Sequence, residues 1–89
     1  MPAQRLSDLR NLGPKSEETL VAIGIRTPDE LAASGAIDAF VALKQAGLPA
    51  SLNMLWALEG ALSDRDWRTV ARDDKLRLLT ELEARGVKV

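Results

Sequence analysis

The side chains that carry most enzyme chemistry are scarce in this chain, because neither histidine nor cysteine occurs among its 89 residues. Their absence removes an imidazole base, a thiolate nucleophile and the usual zinc ligands. Four of the five serine hydroxyls fall at predicted helix starts, where a serine normally caps the helix. We therefore expect no catalytic residue, no metal site and no cofactor. The serines in question are Ser7, Ser16, Ser51 and Ser63.

The carboxylates also lack the arrangement that acid–base catalysis needs. Adjacent acidic residues point in different directions on a helix, and the first helical turn favours negative charge because of the helix dipole. Glu59 is the one acid in a largely apolar segment, and we expect it to reach the surface or to pair with Arg65 or Arg68. The sequence thus predicts a protein that is not an enzyme. The adjacent acidic pairs are Glu17-Glu18, Asp29-Glu30 and Asp73-Asp74.

The strongest candidate for a binding site is the turn at residues 11–16, which we call the hairpin turn. Its pattern is that of a helix-hairpin-helix, in which a turn beside a helix N-terminus exposes backbone amides to a phosphate group. Asn11 stands where a glycine is usual, and asparagine tolerates the left-handed backbone region better than most residues. Lys15 would add positive charge. The candidate nucleic-acid contacts are Arg10, Asn11, Gly13, Lys15, Ser16 and Arg26.

Two observations favour a packing role for the hairpin turn over DNA contact. The same hairpin commonly packs two helices at a steep angle, and Glu17 and Glu18 would oppose a bound anion. If DNA were bound through this turn alone, about two or three phosphates would be neutralised, which gives a nonspecific dissociation constant of about 10⁻⁴–10⁻⁶ M. Both roles stay open at this point.

The two tryptophans have different surroundings. Trp56 lies in an apolar segment and is expected in the core, whereas Trp67 lies in the polar segment 63–68 and is expected to be partly exposed. Tryptophan is enriched among the residues that dominate binding between proteins. Trp67 is therefore a candidate for contact with a protein partner.

Helices must position these candidates, since apolar residues recur at helical spacing and no useful stretch has the alternation of a strand. Segment 51–62 is apolar nearly all round and must be buried, which makes it the expected central helix. Gly60 within it favours close contact with another backbone. We expect an all-α fold, a compact bundle of five to six short helices with a helix-hairpin-helix-like N-terminal half. The predicted helices span residues 7–11, 16–23, 28–34, 36–46, 51–62 and, from 72 or 73, a last helix to 85.

Local signals support these boundaries. Thr27 followed by Pro28 and Glu30 predicts a capped helix start, with the glutamate reaching back to the cap amide. A ladder of alternating charge at four-residue spacing is expected on the outer face of the last helix, formed by Asp73, Arg77, Glu81 and Arg85. The side chains expected to point inward outside the central helix are Leu6, Leu9, Leu12, Leu20, Val21, Ile23, Ile25, Ile37, Phe40, Val41, Leu43, Leu76, Leu79 and Leu82.

Length and charge set the remaining limits. A chain of 89 residues is expected to form one domain, residues 1–89, with a core at about 6–85. Its 12 basic and 13 acidic residues give a net charge of −1, so no overall attraction to nucleic acid or membrane is expected. No segment reaches the ~20 apolar residues that cross a bilayer, and the first residues lack the apolar run of a signal peptide. We expect a cytoplasmic protein without membrane contact.

Three runs in the chain are familiar when taken together in order. They are residues 11–16, residues 24–27 and residues 52–61, and Trp67 follows the last of them. The combination resembles the C-terminal domain of the TfoX/Sxy family of bacterial competence regulators, over roughly residues 6–82. The resemblance implies an all-helical domain of the helix-hairpin-helix type and a role in the transcriptional control of DNA uptake rather than in catalysis. The chain would be a stand-alone version, without the preceding α/β domain of the family.

The first functional hypothesis is a non-enzymatic regulatory or adaptor domain that acts through protein contacts. A separate TfoX N-terminal-type domain or the transcription machinery would be the partner. The alternative is weak, sequence-nonspecific binding to the backbone of duplex DNA through the hairpin turn. A homodimer is a further expectation left open, because a small domain with an apolar central helix could leave part of its surface for a second copy.

Overall fold

Helices form the whole framework of the computed structural model, which describes residues 5–87 and contains no strand in that range. The all-α prediction is therefore confirmed. A short 3₁₀ turn comes first, and six α-helices follow it. Their bounds are Leu6–Asp8 for the 3₁₀ turn, then α1 Pro14–Val21, α2 Pro28–Ser34, α3 Ala36–Gln45, α4 Leu52–Ser63, α5 Trp67–Asp73 and α6 Lys75–Ala84.

Helix α4 is the central helix, as its nearly continuous apolar surface predicts. It packs against both α3 and α5, and Trp56 within it is only 5% exposed. Because α3 contacts α1, α2 and α6 in turn, every helix is joined to the same core. The largest fully buried side chains of that core are Phe40, Leu6, Leu20, Leu31, Leu43, Leu55, Leu58, Leu78, Leu82 and Val70.

The start of α2 follows the predicted capping pattern with one difference. The Thr27 hydroxyl accepts a hydrogen bond from the Glu30 amide at 3.1 Å, and Pro28 occupies the first helical position. The Glu30 carboxylate, however, accepts from the Arg26 amide at 3.0 Å rather than from the amide of Thr27. The helix boundaries at Pro28 and Ser34 agree with the prediction.

The beginning of the chain differs from the prediction of a helix over residues 7–11. Only Leu6–Asp8 form a 3₁₀ turn, Leu9 is extended, and Asn11 lies in the left-handed region. Helix α1 begins at Pro14 with Gly13 as its N-cap, two residues before the predicted start at Ser16. The reason is that proline at the first helical position has a suitable φ and needs no amide partner. Ser16 therefore lies inside the first turn and does not cap the helix.

The sequence does not predict α5, because segment 63–68 has the polar composition of a turn. The turn is shorter, and the Asp66 carboxylate caps α5 by accepting from the Arg68 amide at 2.8 Å. Within its seven residues only Val70 is fully buried, which is too little to show a helical period in the sequence. Asp74 then separates α5 from α6, where a single helix starting at 72 or 73 had been predicted.

Two side chains predicted in the core are at the surface instead. Leu76 is 81% exposed and Val21 is 41% exposed, while Leu78 and Leu82 form the buried stripe of α6. The non-helical backbone of Asp74 gives α6 its own start, and its packing on α3 and α5 selects the face that is buried. No helix within residues 5–87 combines the length and the hydropathy that crossing a bilayer requires.

The predicted charge ladder on the last helix is correct at only one step. Arg77 lies 3.6 Å from Glu81, as expected for residues four apart. Arg85 instead pairs with Asp38 of α3, and Asp73 pairs with its neighbour Arg72 at 2.8 Å. Long arginine side chains reach neighbouring helices in a domain this small, so partners outside the helix compete with those inside it.

Candidate functional site

The hairpin turn is held against the α4–α5 connection by the side chain of Asn11. The backbone of Asn11 is left-handed, with φ of +72°, as expected for a position where glycine is usual. Its Nδ2 donates to the Arg65 carbonyl at 2.7 Å, and its Oδ1 accepts from the Trp67 amide at 3.1 Å. Both ends of the side-chain amide are therefore engaged inside the molecule.

Gly60 of α4 lies directly beneath this contact. A Cβ atom at Gly60 would collide with the Arg65 carbonyl oxygen and with Nδ2 of Asn11. This confirms the prediction that Gly60 permits a close backbone approach. We call the four residues that meet here, Asn11, Gly60, Arg65 and Trp67, the Asn11 brace.

Arg10, the residue before the brace, also faces the α4–α5 connection. Its Nη1 donates to the carbonyl of Asp64 at 3.3 Å, although the residue is exposed. Asp64 has a left-handed backbone that ends α4. Arg10 and Asn11, two consecutive residues, thus each bind a main-chain carbonyl 54 positions further along the chain.

An open groove runs between the first turn of α1 and the first turns of α4, and we call it the α1–α4 groove. It consists of two adjoining hollows of about 420 and 340 Å³, which share Ser16, Ser51 and Met54. Of the side chains that line it in the described part of the chain, only that of Lys15 is charged. The remaining lining residues are Asn11, Thr19, Pro49, Ala50, Asn53, Ala57 and Trp67.

Two serine hydroxyls in the groove are available to a ligand. Ser51 is the N-cap residue of α4 by its backbone, but its hydroxyl makes no capping hydrogen bond, contrary to the prediction that it caps this helix. The Ser16 hydroxyl likewise has no hydrogen-bond partner within residues 5–87, and Ser16 lines both hollows. The groove therefore offers hydrogen-bonding groups beside the positive charge of Lys15.

Glu17 does not face the groove, although the sequence suggested that it would oppose an anion there. Its carboxylate accepts from Nη2 of Arg5 at 2.7 Å and from the Ser7 amide at 3.2 Å. Both bonds hold the pKa of Glu17 below its usual range, and the hydrogen bond from Arg5 is the larger cause. Helical spacing places Glu17 on the side of α1 away from Lys15 and Ser16. Helix α1 thus has an ion-paired face and a groove face.

The six residues proposed as nucleic-acid contacts do not form one cluster. Arg26 is exposed beyond the far end of α1, and the eight residues of that helix span about 12 Å. Gly13 has an extended backbone, and space for a side chain is open there. Lys15 and Ser16 line the groove, whereas Arg10 and Asn11 are bonded to the α4–α5 connection.

Trp67 forms the end of the groove nearest the brace. It is half-buried, in agreement with the expectation of partial exposure, and the guanidinium of Arg68 lies 5.3 Å from the centre of its ring. Sequence reasoning missed the part of the groove contributed by α4. The available signal was the pair of polar residues, Ser51 and Asn53, at the start of an otherwise apolar helix.

A second polar cluster joins α4 to the last two helices, and it resolves the role of Glu59. Glu59 pairs with Arg77 at 2.9 Å, rather than with Arg65 or Arg68 as predicted. Asp74 accepts from Arg65 and from Arg77, which keeps the pKa of Asp74 below its usual range, with the Arg65 hydrogen bond as the main cause. These contacts fasten α5 and α6 to α4.

Residues 5–87 contain no group of three side chains placed to hold a metal ion.

Comparison with known proteins identifies relatives of the chain. The model of the TfoX C-terminal domain matches residues 2–82. The chain is 38% identical over 78 residues to the DNA transformation protein TfoX of Haemophilus influenzae. The match covers 88% of this chain but 36% of that protein, so the chain spans little more than a third of its relative's length.

Two crystal structures of proteins from Listeria monocytogenes share the fold. One, an uncharacterized protein in a triclinic crystal form, has a TM-score of 0.79 and 30% identity, with 96% of this chain and 98% of that chain covered. The other, a protein of unknown function in a tetragonal form, has a TM-score of 0.78 and 32% identity, with 89% and 98% covered. With the match to residues 2–82, the sequence and the fold lead to one assignment. This chain belongs to the family of TfoX C-terminal domains.

Proposed function

We propose that the chain is a non-enzymatic regulatory or adaptor domain of the competence-regulator type, which acts through protein–protein contacts. The observation that carries this proposal is the internal use of Asn11, whose side-chain amide binds Arg65 and Trp67. The most distinctive polar group of the hairpin turn therefore serves the fold. What remains open to a partner is the adjacent groove, which is mainly apolar.

The titrating groups support a role without catalysis. The carboxylates with lowered pKa values, Glu17, Asp73 and Asp74, each accept a hydrogen bond from an arginine, and that bond is the main cause of the shift. Catalytic groups more often show shifts toward the working pH, caused by burial in a pocket. These shifts are those of structural ion pairs.

The link to competence rests on the relative from Haemophilus influenzae, which is named a DNA transformation protein. Since the chain matches about a third of that protein, its part in such a process would be that of one domain. We propose that it contacts a TfoX N-terminal-type domain or a component of the transcription machinery.

Charge disfavours DNA binding as the main function. The α1–α4 groove carries one lysine, and Arg26 lies at the other end of α1. Binding to duplex DNA depends on the number of phosphates that basic residues neutralise, and one or two such residues give only weak binding. The net charge of −1 adds no general attraction.

A domain exchange tests the proposed function. In Haemophilus influenzae, the C-terminal domain of the relative would be replaced by this chain, and the frequency of transformation would be measured. We expect the hybrid to restore transformation well above the level of a truncated protein without the domain. A hybrid carrying Leu55→Asp serves as the inactive control, because Leu55 is fully buried. A folded hybrid, present in normal amounts and no more active than the truncation, would count against the proposal.

A further inference from the structure

We infer that the α1–α4 groove binds an extended segment of a partner protein in which a carboxylate side chain stands next to a large apolar one. This inference rests on the proposed function, because it specifies the surface through which an adaptor domain would make its protein contact. It adds a site and the chemistry of the ligand.

The shape of the groove suits a short extended peptide. The lining residues from α4 and its N-cap run from Ser51 to Ala57, a rise of about 9 Å along the helix axis. An extended chain advances about 3.3 Å per residue, so about three residues fit along the groove. Met54 and Ala57 supply an apolar floor, and half-buried Trp67 supplies a flat wall at one end.

The charge of the groove specifies the polar half of the ligand. Lys15 is exposed and has no ion-pair partner within residues 5–87. The free hydroxyls of Ser16 and Ser51 lie in the same hollow and can donate hydrogen bonds to a carboxylate. Glu17 is turned toward Arg5, and neither Glu18 nor any other acidic side chain lines the groove in the described part of the chain. Charge complementarity therefore favours a ligand with an acidic residue at the end of the groove where Lys15 lies.

The apolar end of the groove separates this ligand from nucleic acid. A bound phosphate backbone would leave Met54 and Ala57 facing a charged chain, and it would find only Lys15 as a lining cation. An aromatic or aliphatic side chain next to the carboxylate would instead cover these residues and contact the ring of Trp67. A peptide thus satisfies both ends of the groove.

The test uses the whole chain and a library of blocked short peptides with randomised central positions. Peptides retained by the chain should combine aspartate or glutamate with a neighbouring leucine, methionine or phenylalanine. In ¹⁵N spectra they should shift the amides of Lys15, Ser16 and Asn53. Lys15→Glu and Ser16→Glu should each weaken their binding by at least about tenfold, because a like charge then faces the carboxylate.

Lys75→Glu is the matched control for Lys15→Glu. Both lysines are exposed and lie in the first turn of a helix, where a glutamate is electrostatically favourable, so both variants should fold. The control should bind the peptides as the parent does. Circular dichroism would verify that all three variants are folded.

Three results would overturn the inference, and they separate it from the proposed function. One such result would be peptides that bind equally well to Lys15→Glu and Ser16→Glu and shift amides on another face of the domain. That result would agree with the adaptor role but would exclude the groove as the binding site. No retained peptide at all would contradict the inference about the groove, and the domain exchange would still decide the adaptor role. A short DNA duplex that displaces the peptides and shifts the groove amides more strongly would make the groove a nucleic-acid site.

Discussion

Asn11 combines two properties that are rarely needed together at one position. Its backbone takes the left-handed conformation of the hairpin turn, and its side chain closes two hydrogen bonds to the α4–α5 connection. Glycine would satisfy the first requirement, and a residue such as glutamine would carry the amide for the second. Asparagine meets both, since it is enriched among non-glycine residues in the left-handed region.

Substitutions at Asn11 can separate these two contributions. Asn11→Gly keeps the backbone relaxed but removes both hydrogen bonds, and we expect it to lower the free energy of unfolding by about 1–3 kcal/mol. Asn11→Ala should lose about 1 kcal/mol more, because alanine is strained in the left-handed region. Urea unfolding followed by circular dichroism measures both values. Equal stability of Asn11→Ala and the parent would contradict the described role of the brace.

Gly60 provides a second test of the brace. Replacing an interior helical glycine by alanine ordinarily raises stability by about 1 kcal/mol. Gly60→Ala should instead lower it by about 1–3 kcal/mol, because the added methyl group collides with Asn11 and with the Arg65 carbonyl. Gly13→Ala is the control for added volume, since space is open there and it should lose only the N-cap preference of glycine over alanine, about 1 kcal/mol or less. A more stable Gly60→Ala variant would show that the close contact is absent.

At the scale of helices, two separate sets of ion pairs fasten neighbouring elements. Arg5 and Glu17 join the residues before the hairpin turn to α1, while Arg65, Asp74 and Arg77 join the α4–α5 connection to α6. The arginine hydrogen bonds lower the pKa values of Glu17 and Asp74. The stability of both junctions should therefore depend on pH.

The direction of this dependence follows from the sign of the shifts. A carboxylate whose pKa is lowered on folding contributes stability above its unfolded pKa and loses it as the pH falls through the folded value. Glu17→Gln and Asp74→Asn should therefore each be less stable than the parent at neutral pH, and the difference should shrink below about pH 4. Urea unfolding from neutral pH down to about pH 3 measures this.

Glu83→Gln is the control for the acid series. Glu83 is exposed on α6 and has no side-chain hydrogen bond or ion pair within residues 5–87, so its replacement should leave the pH profile of stability unchanged. A stability difference for Glu17→Gln or Asp74→Asn that stays constant from neutral to acid pH would show that the ion pair is not the cause.

Helices with strong local signals could be predicted from the sequence, and those shaped by neighbours could not. The start of α2 is specified by Thr27 and Pro28, and the burial of α4 follows from its composition. Which face of α6 is buried depends on where Asp74 interrupts the helix and on packing against α3 and α5. For that reason Leu76 was assigned to the core in place of Leu78.

The candidate site was predictable only in its N-terminal part. Lys15 and Ser16 stood out because they belong to a recognisable turn. Ser51 and Asn53 are about 35 positions away, and each has an ordinary local explanation at the start of a helix. The groove exists only because the tertiary fold brings the first turn of α1 near the start of α4. The internal bonding of Asn11 has the same origin, since its partners lie more than 50 positions away.

For the molecule as a whole, the brace and the groove are one structural unit. Asn11 and Trp67 belong to the brace and also line the groove, so the wall of the binding surface is fixed by the same contacts that hold α4 and α5 together. The central helix thus supports the candidate site directly, and its Glu59 forms an ion pair with Arg77 of α6. A domain built this way presents a preformed surface to a partner, which reduces the cost of ordering on binding.

The proposal that the Asn11 side chain serves the fold rather than a DNA phosphate can be tested by titrating the ¹⁵N-labelled chain with a short DNA duplex at low salt. We predict that the side-chain amide signals of Asn11 and the backbone amide of Trp67 stay in place, protected from exchange, and that any weak shifts at Lys15 vanish as salt is added. The contrary result would be saturable shifts throughout residues 10–16 that are lost in Lys15→Glu, with the Asn11 amide signals among those that move.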